Sequence, residues 1–359
     1  MAREMLNDKK PIRALVIGTG HIGQQHLLAL RKVPNCTVAV CDRSPTMAEL
    51  SADRHSAAAW YADAAKAFAD FRPDVAHICT PASSHLPLGR LALEMGAHAI
   101  IEKPITENHA DWICLREAAE RAGLWLMEDH NYAFNPPVLH VRNLIDSGEF
   151  GDVVHVDIQF ALNIHEPTGV FSDPHLPHPA LQSPGGVIAD FLPHLSYLAI
   201  AFVGAATTVR TVWHKRANNS LFQHDEMRAL VVGQTGTASL LFSSHIQPDL
   251  FRLVVHGTRM TASISLFENI CHIDKSQNGP GTGTALLNSL AAGKNYTLGG
   301  LRSIVAKLSS VPVSYSGLHT LVQSFYQSLR EGHACPVTLT QIAEAIRLVD
   351  ALIDKENRT

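Results

Sequence analysis

Ile12-Arg13-Ala14-Leu15-Val16-Ile17-Gly18-Thr19-Gly20-His21-Ile22-Gly23 is the stretch on which the reading of the fold turns. A short, almost wholly apolar run meets two glycines and passes into an amphipathic stretch, Ile22 to Val33. That order predicts a buried strand, a tight turn and a helix. In the G-x-G-x-x-G spacing, Gly18 permits the turn. Gly20 lets the backbone approach a pyrophosphate, and Gly23 lets helix and strand pack closely. A helix start offers free N–H groups and a partial positive charge to phosphate. Gly18, Gly20, His21, Ile22 and Gly23 are therefore read as a dinucleotide cradle. Asp42 stands at the end of the next strand, 24 residues after Gly18. A carboxylate there accepts hydrogen bonds from the ribose hydroxyls. It would repel a 2′-phosphate, so NAD is expected. Arg43 and Ser44 directly follow it and could hold that phosphate, which leaves NADP possible. The bland alternative is a glycine-rich turn beside a solvated aspartate.

Outward from this turn the pattern repeats. Thr37 to Cys41, Val75 to Cys79, Ala97 to Ile101 and Leu124 to Met127 read as strands. Met47 to Ala57, His85 to Met95 and Asp111 to Ala122 read as the helices between them. Continuous apolar strands alternating with helices predict a parallel sheet covered on both faces, doubly wound by right-handed crossovers. After Asn135-Pro136-Pro137 the pattern changes. Val153 to Asn163 alternates, with Val154, Val156, Ile158 and Phe160 on one face. Several strand-like runs between Thr207 and Ile273 then suggest a largely antiparallel sheet. Leu339 to Ile353 is an amphipathic helix. The expected architecture is α/β, with a Rossmann domain over residues 1–130. A second α/β domain over 131–359 carries a large, open, mixed but mostly antiparallel sheet and serves substrate binding and oligomerisation.

Composition agrees with a two-domain globular chain: 359 residues, 46% hydrophobic and 17% charged. A net charge of −4 does not suggest a nucleic-acid binder. Met1 to Lys10 is charged and lacks an apolar core, so no signal peptide is read. Phe191 to Val209 contains Pro193, His194, Ser196 and Gly204, and reads as a buried helix running into a strand, not a membrane span. Six cysteines without a C-x-x-C pair fit reduced thiols and a cytoplasmic setting.

Cys79-Thr80-Pro81, then His85, then Glu102-Lys103-Pro104, and further on Gly185-Gly186-Val187-Ile188-Ala189-Asp190 with His194, resemble the Gfo/Idh/MocA family of glucose–fructose oxidoreductase and inositol dehydrogenase. The resemblance covers essentially the whole chain. It implies a Rossmann domain joined to a sheet domain, with substrate held between that sheet and the nicotinamide. It makes Thr80, Pro81, His85 and Glu102 cofactor neighbours and sets Lys103 beside both nicotinamide and substrate. His85, at a helix start, could equally be a cap. The implied reaction is hydride transfer between NAD and a secondary alcohol of a sugar, cyclitol or nucleotide sugar. An NAD-recycling glycosidase or epimerase, and a non-catalytic NAD(P)-sensing regulator, are the alternatives.

The residues support that chemistry in part unaided. Asp190 and His194, spaced i, i+4, are expected on one helix face. A histidine can take the hydroxyl proton as hydride leaves carbon. A protonated Lys103 can stabilise the developing alkoxide, and Asp190 can orient the imidazole. Without the family context the same pair reads as well as a structural contact. The chain also departs from the family. Tyr132-Ala133-Phe134 lacks an arginine often found before that phenylalanine. Pro193 replaces a glycine and is expected to kink the helix and re-aim His194. Tyr197 replaces an aspartate.

His165, at the end of the first strand of the second domain, is a further substrate candidate by the same resemblance. His175 and His178, interleaved with prolines, read as a loop or lid, and no metal site is read from them. Lys275 to Arg330 holds Lys275, Lys294, Arg302, Lys307 and Arg330 but no acid. Ordinary core packing is the first reading of that segment, an anionic substrate or oligomer contact the second, and a membrane-surface helix the third. Expected partners are a carbohydrate or polyol substrate and further copies of the chain, as a dimer or tetramer, with no nucleic acid and no membrane.

Overall fold

Runs such as Ala14-Leu15-Val16 carry no polar residue to turn toward water, so both faces must be buried, and all three side chains are wholly buried. The computed structural model describes residues 10–165, 171, 181, 185–218, 222–275, 286, 288–290, 293–294, 297–298, 300 and 315–358. The chain forms two compact units, Met1–Asn131 with Gly317–Ile342, and Tyr132–Ser316 with Ala343–Thr359. The sequence pattern drew one boundary, near residue 130; the chain also returns to the first unit over Gly317–Ile342.

The first unit is built on a six-stranded sheet of order β3-β2-β1-β4-β5-β6, every pair parallel. Its strands are β1 (Ile12–Ile17), β2 (Cys36–Cys41), β3 (Ala59–Tyr61), β4 (Val75–Ile78), β5 (His98–Ile101) and β6 (Leu126–Glu128). Helices α1 (His21–Leu30), α2 (Pro45–His55), α3 (Ala64–Phe71), α4 (His85–Glu94) and α5 (His109–Ala122) connect them. Strand order reverses between β1 and β4, and parallel sheets hold ligands beyond the carboxyl ends of such a pair. Two elements were not read from the pattern, β3 and α3. Three residues are too few to show a period. The helix α3 starts on Asp63, whose carboxylate accepts from Lys66 N at 2.8 Å, and buries Ala67 and Phe68.

A further unread helix, α8 (Ser316–Glu331), completes this unit from far along the chain. Its Leu318, Leu321, Val322, Phe325 and Tyr326 are buried, and Phe325 meets Trp125 edge-on at 5.3 Å. Arg330 donates to the carbonyls of Pro34 and Asn35 at 2.6 and 2.9 Å, so its guanidinium braces the turn before β2. That is a structural use of Arg330.

The second unit holds α6 (Pro136–Asp146), β7 (Val153–Ala161), α7 (Leu192–Val203), β8 (Ala206–His214), β9 (Glu226–Gly233), β10 (Thr237–Ser243), β11 (Leu250–Gly257), β12 (Met260–Ser265) and β13 (Ile270–Lys275). The strands form one sheet of order β13-β12-β11-β7-β10-β9-β8, antiparallel except for β7 with β10. Of the four residues that the alternation places on one face of β7, Val156, Ile158 and Phe160 are buried, and α7 packs there against β7 and β10; Val154, at the start of the strand, is instead 53% exposed. On the opposite face Val212 pairs with Arg228, Arg210 with Leu230 and Thr208 with Val232. Leu230 and Val212 on that face are about half exposed, at 53% and 48%. The amphipathic helix Leu339–Ile353 is α9, with the predicted bounds. Among the described residues no helix is long and apolar enough to cross a membrane.

Candidate functional site

The turn after β1 has the shape its glycines require. Gly18 sits at φ +89°, and a β-carbon there would lie 2.6 Å from the Cys79 carbonyl. A β-carbon on Gly23 would run into the Gly18 carbonyl. Above Gly20 nothing stands within 4 Å, so backbone is open to a ligand. Gly20 also precedes α1 with no side chain capping the helix, which leaves first-turn N–H groups for phosphate. Asp42 closes the arrangement. Thr19 donates to its Oδ2 from backbone and hydroxyl at 2.8 and 2.9 Å, and Ser44 N donates to Oδ1 at 3.0 Å. Burial opposes its charge, but these donors and the Arg43 cation outweigh burial and hold its pKa below the usual carboxylate value. The carboxylate is thus charged and fixed. An open cradle, an uncapped helix start and an anchored anion at the end of β2 fit a dinucleotide. Thr19, an "x" of the motif, is the residue the sequence reading passed over.

Thr80, Pro81, His85, Glu102, Lys103 and Pro104 lie beyond the carboxyl ends of β4 and β5. Ser84 Oγ is 2.7 Å from Thr80 Oγ1 and from the Pro81 carbonyl. His85, almost fully buried, lies with Nε2 2.8 Å from the Thr80 carbonyl and Nδ1 2.9 Å from that of Pro104. Its ring ties the Thr80-Pro81 turn to the Lys103-Pro104 turn. Glu102 points into the protein, with Oε1 3.0 Å from His26 Nε2.

That contact ends a buried chain of polar groups. His26 Nδ1 is 2.8 Å from His77 Nδ1, and His77 Nε2 is 2.8 Å from the Tyr326 hydroxyl. One proton arrangement satisfies every contact: Tyr326 donates to His77, His77 to His26, and His26 to the Glu102 carboxylate. Burial, and then His26, push the His77 pKa well down, so its ring is neutral as this requires. Burial raises the Tyr326 pKa well above its usual value, so the phenol keeps its proton. Asp129, with Oδ2 3.8 Å from His26 Nε2, is held well above the carboxylate range by burial and the Glu102 charge. Burial resists ionisation of Glu102 too, but the His26 contact outweighs it and lowers the Glu102 pKa. One proton therefore serves the two carboxyls.

In the second unit Asp190 and His194 do not share a helix. Asp190 ends a short 3-10 turn, Gly186–Asp190, and α7 begins only at Leu192. The expectation of one continuous helix face is corrected accordingly. The expected kink is also absent, because Pro193 stands in the first turn of α7, where no intrahelical N–H is needed. His194 is nearly buried, with Nδ1 2.9 Å from the Tyr197 hydroxyl. Tyr132 N donates to the same hydroxyl at 3.1 Å, and the Tyr132 ring stands edge-on to the imidazole at 5.0 Å. Tyr197, one of the three departures from the family pattern, and Tyr132, in the segment of another, therefore both hold His194.

His165 ends up beside Asp225 and His245, which no motif joins to it. His245 Nε2 is 3.0 Å and His165 Nε2 3.6 Å from Asp225 Oδ2. Local sequence offered no signal for this cluster, since its members come from three strand ends. His175, His178, Arg302 and Lys307 lie outside the described residues.

The fold and the turn define a dinucleotide-binding protein with a second, sheet-based unit. Two family models match, the oxidoreductase family NAD-binding Rossmann fold over residues 12–130 and the GFO/IDH/MocA C-terminal domain over 138–263. Together they take in more than half of the chain, and the chain belongs to the Gfo/Idh/MocA oxidoreductases, its first unit being their NAD-binding domain. D-apiose dehydrogenase of Rhizobium rhizogenes is 27% identical over 236 residues, 65% of this chain and 66% of that protein. The match thus spans just under two thirds of that relative. A glycosyl hydrolase family 109 protein of Streptomyces coelicolor is 31% identical over 154 residues, 40% of this chain and 33% of that one. An oxidoreductase from Agrobacterium radiobacter, solved with NAD+, L-tartaric acid and magnesium, has the same fold, with a TM-score of 0.75 at 20% identity over 95% of both chains.

Proposed function

We propose that the protein is a dehydrogenase that transfers hydride between NAD and a secondary alcohol of a sugar, cyclitol or nucleotide sugar. The observation that carries this is the open Gly18–Gly23 cradle closed by the anchored, charged Asp42, in a family with sugar dehydrogenases among its members. NAD, when bound, accepts or returns the hydride. Asp42 receives the ribose hydroxyls and disfavours a 2′-phosphate. Gly18, Gly20, His21, Ile22 and Gly23 admit the pyrophosphate, while Thr80, Pro81 and Arg43 border the cofactor. His85 and Glu102 act one step back, by bracing the turns that present Thr80 and Lys103.

His194 is the general base in the oxidative direction. For Nε2 to accept the hydroxyl proton, Nδ1 must carry its own and give it to Tyr197 Oη. Lys103 stabilises the developing alkoxide, and Asp190 and His165 hold neighbouring hydroxyls. A panel of sugars, cyclitols and nucleotide sugars, assayed with NAD and with NADP for absorbance change, tests this. Net NADH formation supports the dehydrogenase. The relative among glycosyl hydrolases supports a second reading, hydrolysis with NAD recycled; product without net absorbance change would establish it. A second copy of the chain, covering the Leu230 face of the sheet, is the proposed oligomer contact.

A further inference from the structure

We propose that His165, Asp225 and His245 form a binding site for a divalent transition-metal ion of the zinc class. The topology brings them together. His165 follows β7, His245 follows β10 and Asp225 precedes β9. These strands are neighbours in the sheet, with β10 parallel to β7 and antiparallel to β9, so all three residues stand at one end of it. Backbone bonds fix that corner: Asp225 N donates to the His214 carbonyl and Ser244 N to the Asp225 carbonyl.

The ligand atoms suit a tetrahedral ion. Bonds of about 2.0–2.2 Å place neighbouring ligand atoms roughly 3.4 Å apart. His165 Nε2 and His245 Nε2 lie 3.6 and 3.0 Å from Asp225 Oδ2, and the three atoms all fall within 4.8 Å of one another. The carboxylate is oriented from behind, as metal-binding carboxylates are. Its Oδ1 accepts from Arg216 N and its Oδ2 from Ala217 N, each at 2.7 Å. Asp225 is wholly buried, while the histidine side chains keep 20% and 25% of their surface, which leaves an entry path. Phe222 stands edge-on to His165 at 5.1 Å and shields one side. Two imidazoles and one carboxylate leave a fourth position for water or a hydroxyl-bearing ligand, the pattern of open zinc sites.

This site shares His165 with the substrate contacts proposed above, but its test reads metal binding and not turnover, so either proposal can fail alone. The test uses the full chain, stripped by a chelator and titrated with Zn2+ by calorimetry, and with Co2+ followed in the visible spectrum. The expected result is one ion per chain and the intense visible bands of tetrahedral Co2+. His245→Ala and His165→Gln, both at part-exposed positions, should each weaken binding by more than the about 10–100-fold that loss of an outer partner costs. Zn2+ should also raise the unfolding midpoint of the parent and not of the variants. Circular dichroism checks that each variant folds; should His245→Ala not fold, His165→Gln decides. No tight site in the parent overturns the proposal. So does binding elsewhere among the 21 histidines that both substitutions leave unchanged.

Discussion

His194 illustrates how one side chain is set by its neighbours. Its Nδ1 is held by Tyr197, whose hydroxyl is in turn held by Tyr132 N. His194→Ala should lower kcat by about 10²–10⁴-fold, the usual loss for an acid–base group, with NAD binding retained. Turnover equal to the parent's would take His194 out of the reaction. Tyr197→Phe removes the hydroxyl that meets both His194 Nδ1 and Tyr132 N and should lower kcat by about 10-fold. It should also reshape the pH profile of kcat, which a purely packing role would leave alone. Asp42 makes a parallel case for the cofactor. Its carboxylate is kept charged by Thr19 and Ser44, so it meets a 2′-phosphate as an anion. Asp42→Ala should narrow the ratio of kcat/KM for NAD over NADP. A parent enzyme that already prefers NADP would show that Arg43 and Ser44 govern the choice. Both residues were singled out by local signals, a spacing from Gly18 and a histidine four residues after an aspartate, although the second signal did not put Asp190 and His194 on one helix. Thr19 and Tyr197 were not, since their roles depend on where a second element brings its partner.

At the level of elements, the strands and helices that alternate over long runs were readable in sequence, and those that depend on distant partners were not. The six-residue strand from Ile12, apolar but for Arg13, and the fifteen-residue helix α9 announce themselves by pattern. Helix α8 does not reveal its place, because what fixes it is Trp125, His77 and the Pro34 turn, all in the first third of the chain or just beyond. The His165–Asp225–His245 corner has the same character. Tyr326 supplies the test of α8. Tyr326→Phe leaves the neutral His77 Nε2 without its donor in a wholly buried place. The expected cost is about 1–3 kcal/mol of stability, read as a lower midpoint in urea with unchanged slope. A midpoint equal to the parent's would mean that the imidazole chain re-orients freely and that Tyr326 acts only by packing.

At the level of the whole molecule, the outward face of the seven-stranded sheet carries Leu230, Val212 and Val232 among Arg210 and Arg228. Apolar area framed by charge is what a second copy would cover. Leu230→Asp should lower the mass measured by light scattering toward that of one chain, while secondary structure is kept; an unchanged mass would put the contact elsewhere. A different consequence follows from the return of Gly317–Ile342 to the first unit. On the ribosome the parallel sheet emerges first, yet Phe325 and Tyr326 reach it only after the whole antiparallel sheet has been synthesised. At about 5–20 residues per second, that delay is on the order of ten seconds or more. All strands of the later sheet are therefore made before the earlier unit receives its last helix. Until α8 arrives, Trp125 lacks the Phe325 ring and His77 lacks the Tyr326 hydroxyl, so the nascent dinucleotide unit offers these side chains to a chaperone or a protease.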